Sequence, residues 1–206
     1  PLFDLIFPRD YSPVEVPEKI HVGYFGSFYE EVRTPDALLE LLSAAKTHLP
    51  EKMEGVVVHF YGAVSGPVLE KLRSFPDLEE HLRLHGLVSR DTVAEEMMRM
   101  DVLLNIGNTT DYHLPSKSVD YLWSGKPVVN LSYVEKDPFA ALFKKYPRFL
   151  NMPLYREKEN RSLAEVMLDF FLRNQGKVAP AKIIKELGDP YTLEVIASRY
   201  LNLLES

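Results

Sequence analysis

The 206-residue chain is long enough to bury a sizeable core, as one large domain or two small ones, and 46% of its residues are apolar. Its 24 basic and 30 acidic side chains give a net charge of -6, which argues against a wholesale affinity for nucleic acid and requires any bound anion to be held locally. It has no cysteine, which excludes a disulfide framework, thiol catalysis and thiolate metal sites.

No apolar run approaches the roughly 20 residues that span a bilayer, and the start lacks a signal-peptide pattern. A soluble protein of the cytoplasm, without a transmembrane segment, is therefore expected.

Residues 1–18 hold four prolines, Pro1, Pro8, Pro13 and Pro17, and read as a linker or extended lead-in. The opening Pro1-Leu2-Phe3, with no methionine, is the start expected of a piece of a longer protein. From residue 19 the pattern alternates. Strands are predicted over 19–26, 55–62, 82–88, 101–107 and 127–132, short β-branched or apolar runs, several closed by glycine.

Helical patterns lie between them. One starts at Thr34, with Thr34 as N-cap and Pro35 at its start. Others start at Gly66, at Ser89, and at Pro115, the last stopped by Gly125. A further helix over 137–147, a sixth, edge strand at "FLNMPLY" and a mainly helical 160–206 complete the pattern. Strands alternating with helices predict an α/β fold: one Rossmann-like, doubly wound parallel sheet with helices on both faces and a helical C-terminus, spanning 19–206.

In such sheets ligands sit beyond the carboxyl ends of the strands, at a topological switch point. The loop after the first strand, "GYFGSFYEEVRTPD" (23–36), offers Gly23 and Gly26 for close backbone approach, the Ser27 hydroxyl, and an Arg33 guanidinium that can fork onto a phosphate. It lacks the G-x-G-x-x-G dinucleotide fingerprint.

The loop after the fourth strand leads into "HLPSKSVDYLWSGKPVV" (113–129). Pro115 suits a first helical position and puts Lys117 in the first turn. There the unpaired N–H groups make an ammonium unfavourable by roughly a few tenths of a kcal/mol. A phosphate over the helix start reverses that sign, because it accepts the free N–H groups and pairs with Lys117. Ser116, Lys117 and Asp120 share one helix face. The Asp120 carboxylate has the acceptors to match a ribose diol. The same spacing equally makes a Lys117–Asp120 surface pair worth about 0.3 kcal/mol.

No G-x-S-x-G elbow, H-E-x-x-H or P-loop occurs. His21, His59 and His85 fall inside predicted strands as core or edge residues, whereas His113 sits in the candidate ligand loop. No catalytic residue is assigned.

Three stretches carry a resemblance together: "HVGYFGSFYEEVRTPDALLELLSAA", "LRLHGLVSRDTVAEEMMRMDVLLNIG" and "LPSKSVDYLWSGKPVV". In this order, from about residue 19 to residue 132, the chain resembles the nucleotide-sugar-binding, C-terminal half of family 4 (group 1) glycosyltransferases of the GT-B architecture. The proline-bearing lead-in resembles the segment joining the two halves of such enzymes.

The resemblance implies a hexosyltransferase-type activity that uses a nucleoside diphosphate sugar, with no metal or other cofactor for donor binding. Ser27, Arg33, Ser116 and Lys117 would hold the diphosphate, Asp120 the ribose, and the Leu87 backbone the base. The family places two glutamates eight positions apart here. In this chain the second is Asp120, while the first falls on Tyr112 with Asp111 one place off. Asp111, Tyr112 and His113 are thus the candidates for contact with a sugar of open identity.

The acceptor, also open, would bind on an N-terminal GT-B half absent from this chain, so this stretch alone is expected to bind donor without transferring sugar. The alternative from a different class is a Rossmann-like nucleotide- or partner-binding regulatory module without transfer activity, which fold alone does not separate from the first.

Overall fold

The computed structural model describes residues 19–28, 33–156 and 159–204. The proposed linker at 1–18 lies outside them. Six parallel strands, β1 (Ile20–Phe25), β2 (Val56–Tyr61), β3 (Leu82–Gly86), β4 (Val102–Ile106), β5 (Val128–Ser132) and β6 (Phe149–Pro153), form one sheet in the order β3-β2-β1-β4-β5-β6. The central strands are mainly apolar because both faces are covered, and every residue of β4 and β5 is buried, Asn105 and Asn130 included.

The helices are α1 (Asp36–His48), α2 (Pro50–Met53), α3 (Gly66–Arg73), α4 (Arg90–Arg99), α5 (Ser118–Ser124), α6 (Pro138–Phe143), α7 (Asn160–Asn174), α8 (Ala181–Gly188) and α9 (Leu193–Leu204). On one face, Leu39 and Leu42 of α1 and Met167 and Phe171 of α7 pack on Val22, Val58, Leu104 and Val129. On the other, Met97 of α4, Leu122 of α5, Phe139 of α6 and Ile184 of α8 pack with Phe25, Leu103 and Val128. The sheet is doubly wound, as the alternation predicts.

Two helix starts differ from the sequence reading. Thr34 does not cap α1; Pro35 holds that position without a side-chain bond, and the Thr34 hydroxyl instead bonds the Asp36 carboxyl. Burial raises the Asp36 pKa, but the hydrogen bonds from Lys71 and Thr34 outweigh it and hold the carboxyl below its usual range.

The helix predicted from Pro115 begins at Ser118. The Pro115 carbonyl accepts both the Ser118 N–H (3.0 Å) and the Ser118 hydroxyl, which closes a turn over Ser116 and Lys117. The first α-helical bond then runs from the Tyr121 N–H to the Lys117 carbonyl at 2.9 Å, so Lys117 stands at the N-cap. Gly125 ends the helix with φ +69°, as read from the sequence.

The short α2 and a 3₁₀ turn at Pro76–His81 were not anticipated. Each opens on a proline, whose fixed φ starts a helical turn without any apolar periodicity to announce it.

Candidate functional site

The order of the strands makes β1 and β4 neighbours while the chain leaves them for opposite faces, through α1 and α5. A crevice must open between their carboxyl ends. One side chain holds it apart. Tyr121 of α5 is buried, and its hydroxyl accepts from the Phe25 N–H and donates to the Leu104 carbonyl, both at 3.0 Å. Tyr24 and Leu104 are paired in the ladder, so the phenol occupies the place of the next rung and splays the strands. Burial drives its pKa well above the ordinary tyrosine value, leaving a neutral bridge that donates once and accepts once.

The crevice is a cleft of about 1120 Å³. On the β1 side it is walled by Gly26, Ser27 and Arg33, and on the β4 side by Pro115, Ser116, Lys117 and Asp120. Leu87, Val88 and Val93, with Tyr61, form an apolar end below the start of α4. Tyr112 and His113 lie on the rim. Of the candidate residues Gly23 and Asp111 are not on the wall: Gly23 sits within β1, where a β-carbon would stand 2.5 Å from the Met100 side chain, and Asp111 is exposed to solvent. The role of Asp111 as a sugar contact therefore has no support in this geometry.

The Ser27 hydroxyl is fixed, because it accepts the Ala63 N–H at 3.1 Å while the Phe28 N–H reaches the Ala63 carbonyl at 3.0 Å. The loops after β1 and β2 touch backbone to backbone there. A β-carbon on Gly62, at φ +149°, would stand 2.2 Å from the Gly26 carbonyl oxygen, so only glycine permits the approach.

Arg33 lies against the opposite loop. Its Nε and Nη2 donate to Asn108 Oδ1 at 3.1 and 2.6 Å, and Asn108 Nδ2 donates on to the His113 carbonyl at 3.3 Å. A carboxamide orients a guanidinium without neutralising it. Among the described residues no carboxylate pairs with Arg33.

Lys117 Nζ sits 3.5 Å from Asp120 Oδ2, both half-buried. This is the pair that the spacing allows. Arg90, which sequence reasoning missed, adds a third cation to the lining. Among the described residues Asp120 is the only carboxylate there. In a chain of net charge -6, this concentrates positive charge in a concave, partly apolar site.

The strand histidines satisfy one another. His21 Nδ1 lies 2.9 Å from His59 Nε2, and His59 Nδ1 lies 2.9 Å from His85 Nε2. Burial, together with the neighbouring His21 and His85 and the Arg83 charge, pulls the His59 pKa down to about 4. Tyr61 stacks between Phe25 and His85, at 4.7 and 4.2 Å, and donates to Glu96 at 2.7 Å. Among the described residues no group of three or more metal-ligating side chains is placed to hold an ion, and no helix is long and apolar enough to cross a membrane.

No family model matches the chain, and no curated protein is similar to it in sequence. Solved structures do share its fold. HepE of Anabaena, crystallised in complex with UDP, is 16% identical with a TM-score of 0.65 over 92% of this chain and 50% of that one. TarM of S. aureus, as a mutant in complex with fondaparinux, α-GlcNAc-glycerol and UDP, is 17% identical with a TM-score of 0.65 over 95% and 38%. WaaG, a glycosyltransferase involved in lipopolysaccharide biosynthesis, is 16% identical with a TM-score of 0.61 over 86% and 44%. These neighbours are GT-B glycosyltransferases, and at such identities the likeness is one of fold. The chain spans half or less of the length of each of these structures.

Proposed function

We propose that this chain is the donor-binding half of a glycosyltransferase that moves a sugar from a nucleoside diphosphate sugar to an acceptor. The observation that carries the reading is the cleft at the β1/β4 switch point, where Arg33, Arg90 and Lys117 converge with Asp120, the one carboxylate among the described residues of its lining, beside an apolar end. Such a lining suits a ligand with an anionic middle, a polyhydroxyl portion and a flat apolar portion. A nucleoside diphosphate sugar has all three.

In this reading Ser27, Arg33, Ser116 and Lys117 take the diphosphate, and Lys117 exchanges Asp120 for a phosphate oxygen. Asp120, so released, accepts from the ribose hydroxyls. The base lies at the Leu87 end, and Tyr112 and His113 face the sugar. As the bond from the sugar to the diphosphate breaks, negative charge grows on the leaving phosphate. Lys117, Arg33 and the N–H groups at the start of α5 then stabilise that charge from fixed positions. No metal is called for in this scheme.

A second, acceptor-binding half is part of the proposal. It is supported by the share of each neighbour that the chain spans. Holding donor and acceptor in reacting geometry is worth roughly 7–11 kcal/mol, so the chain by itself is proposed to bind donor without transfer. The test is calorimetric titration of the chain with UDP, GDP, ADP, CDP and dTDP. Saturable binding of at least one supports the reading; binding of none refutes it.

A further inference from the structure

A second polar feature crosses the sheet beside the cleft. Asn105 of β4, Asn130 of β5 and Asn151 of β6 stand in register on adjacent strands, on the same face as Tyr121 and Phe139. Asn105 is 5% exposed and Asn130 is fully buried. Their amides are chained: Asn105 Nδ2 donates to Asn130 Oδ1 at 2.7 Å, and Asn130 Nδ2 donates to Asn151 Oδ1 and to Asp137 Oδ2, both at 2.8 Å. Asp137 is saturated with donors, for its Oδ1 also accepts the Phe139 and Ala140 N–H groups at the start of α6, at 2.8 and 3.3 Å.

The direction of the chain follows from its end. Asp137 offers only acceptors to these donors, so the amide of Asn130 must turn its NH₂ toward it and its oxygen toward β4. Asn105 must then present its own NH₂ to that oxygen. Its Oδ1 is left on the side away from β5, toward the opening between β1 and β4. Asn105 lines the cleft, and among the described residues this oxygen has no hydrogen-bond partner. A buried amide with one end locked and the other open to a cleft is a preset acceptor. Reversing it would break bonds at Asn130, Asn151 and Asp137.

We propose that Asn105 is a specificity-determining contact whose carboxamide oxygen accepts a hydrogen bond from a hydroxyl of the bound nucleotide sugar, with Asn130 and Asp137 as positioning residues that fix its polarity. This rests on the donor-site reading above. The hydroxyl belongs to the ribose or to the transferred sugar, and the test separates the two.

Affinities of UDP, its 2′- and 3′-deoxy analogues, UDP-glucose and the UDP-deoxyglucoses lacking one sugar hydroxyl each are measured by calorimetry on the chain and on two variants. The unsubstituted chain is expected to bind one of the deoxy ligands about three- to tenfold more weakly than its parent. A deoxyribose ligand identifies the ribose as the source, and a deoxyglucose ligand identifies the sugar. In Asn105→Ala that ratio is expected to fall to below about twofold.

Asp137→Asn keeps a residue type that caps α6 but can donate to Asn130, which turns the relay around and withdraws the Asn105 oxygen. The same narrowing is expected with Asn105 still in place. A purely structural Asn105 would weaken all ligands alike and leave the ratio intact, and that result overturns the inference. So does an unsubstituted chain that discriminates against none of the deoxy ligands. If neither these ligands nor GDP, ADP, CDP and dTDP bind, the donor-site reading has failed and takes this inference with it; if another nucleoside diphosphate binds instead, its deoxy analogues and sugar conjugates replace the uridine series. Binding with an unchanged ratio defeats the inference alone.

Discussion

Replacing Tyr121 with Phe removes one oxygen from the base of the cleft and leaves the ring in place. That oxygen satisfies two buried backbone groups, the Phe25 N–H and the Leu104 carbonyl, each at 3.0 Å. An unsatisfied buried donor or acceptor costs about 1–3 kcal/mol, so the ceiling for the pair is about 2–6 kcal/mol. Part of this is recoverable. β1 and β4 are already paired one residue earlier, at Tyr24 and Leu104, and closing the gap lets the freed N–H and carbonyl bond each other, regaining about 1 kcal/mol.

The expected loss is therefore about 1–5 kcal/mol, or about 2–20 °C in Tm for a domain of this size. Closure also narrows the crevice, so affinity for UDP is expected to fall with stability. Urea and thermal unfolding followed by circular dichroism, with UDP titration on the same samples, measure both effects. A loss below about 0.5 kcal/mol, the range of an ordinary surface substitution, together with unchanged UDP affinity, would refute the view that Tyr121 holds the switch point open.

Other expectations follow from the site and from the histidine chain. The nucleoside diphosphate that the chain binds is expected to bind about tenfold more tightly than its monophosphate, because the second phosphate meets Lys117 and Ser116. Lys117→Ala should narrow that gap, and equal affinity of the unsubstituted chain for both nucleotides would sink the diphosphate seat. Asp120→Ala should weaken UDP and hardly affect inorganic pyrophosphate, since only UDP carries the diol; if both weaken alike, Asp120 serves only to position Lys117.

The His59 pKa stands at about 4 in the fold, against about 6.5 in an unfolded chain. Between these values the unfolded state binds the proton that the folded state refuses, so stability declines as pH falls from about 6.5 toward 4. The Tm of His59→Phe should decline less over that range, and an identical decline in both proteins would remove His59 as its source.

The sheet was legible because coverage on both faces leaves β4 and β5 as short, mainly apolar runs set between helical patterns. Ser116, Lys117 and Asp120 were legible as a group because their proximity is set by short-range spacing, whichever residue begins the helix. The start itself was not, since Pro115 permits either a first helical residue or a turn, and the second Ser118 bond to its carbonyl favours the turn.

What sequence could not reveal is pairing between distant residues. Phe25 and Tyr121 lie 96 positions apart, and Arg33 and Asn108 lie 75 apart. Asn105 and Asn130 are unremarkable until the register of β4 and β5 sets them side by side. A polar residue inside each of two apolar runs was the available signal, and only the strand order gives it meaning.

The central claim is that a nucleoside diphosphate lies across the β1/β4 crevice on Arg33 and Lys117. The most direct measurement is a crystal structure of the chain grown with UDP. The account predicts phosphate oxygens within about 3.2 Å of Lys117 Nζ and the Ser116 hydroxyl, the Lys117–Asp120 pair opened from its 3.5 Å separation, and Asp120 turned to the ribose. UDP bound elsewhere on the molecule, or in the cleft with the Lys117–Asp120 pair closed and neither cation on a phosphate, would contradict it.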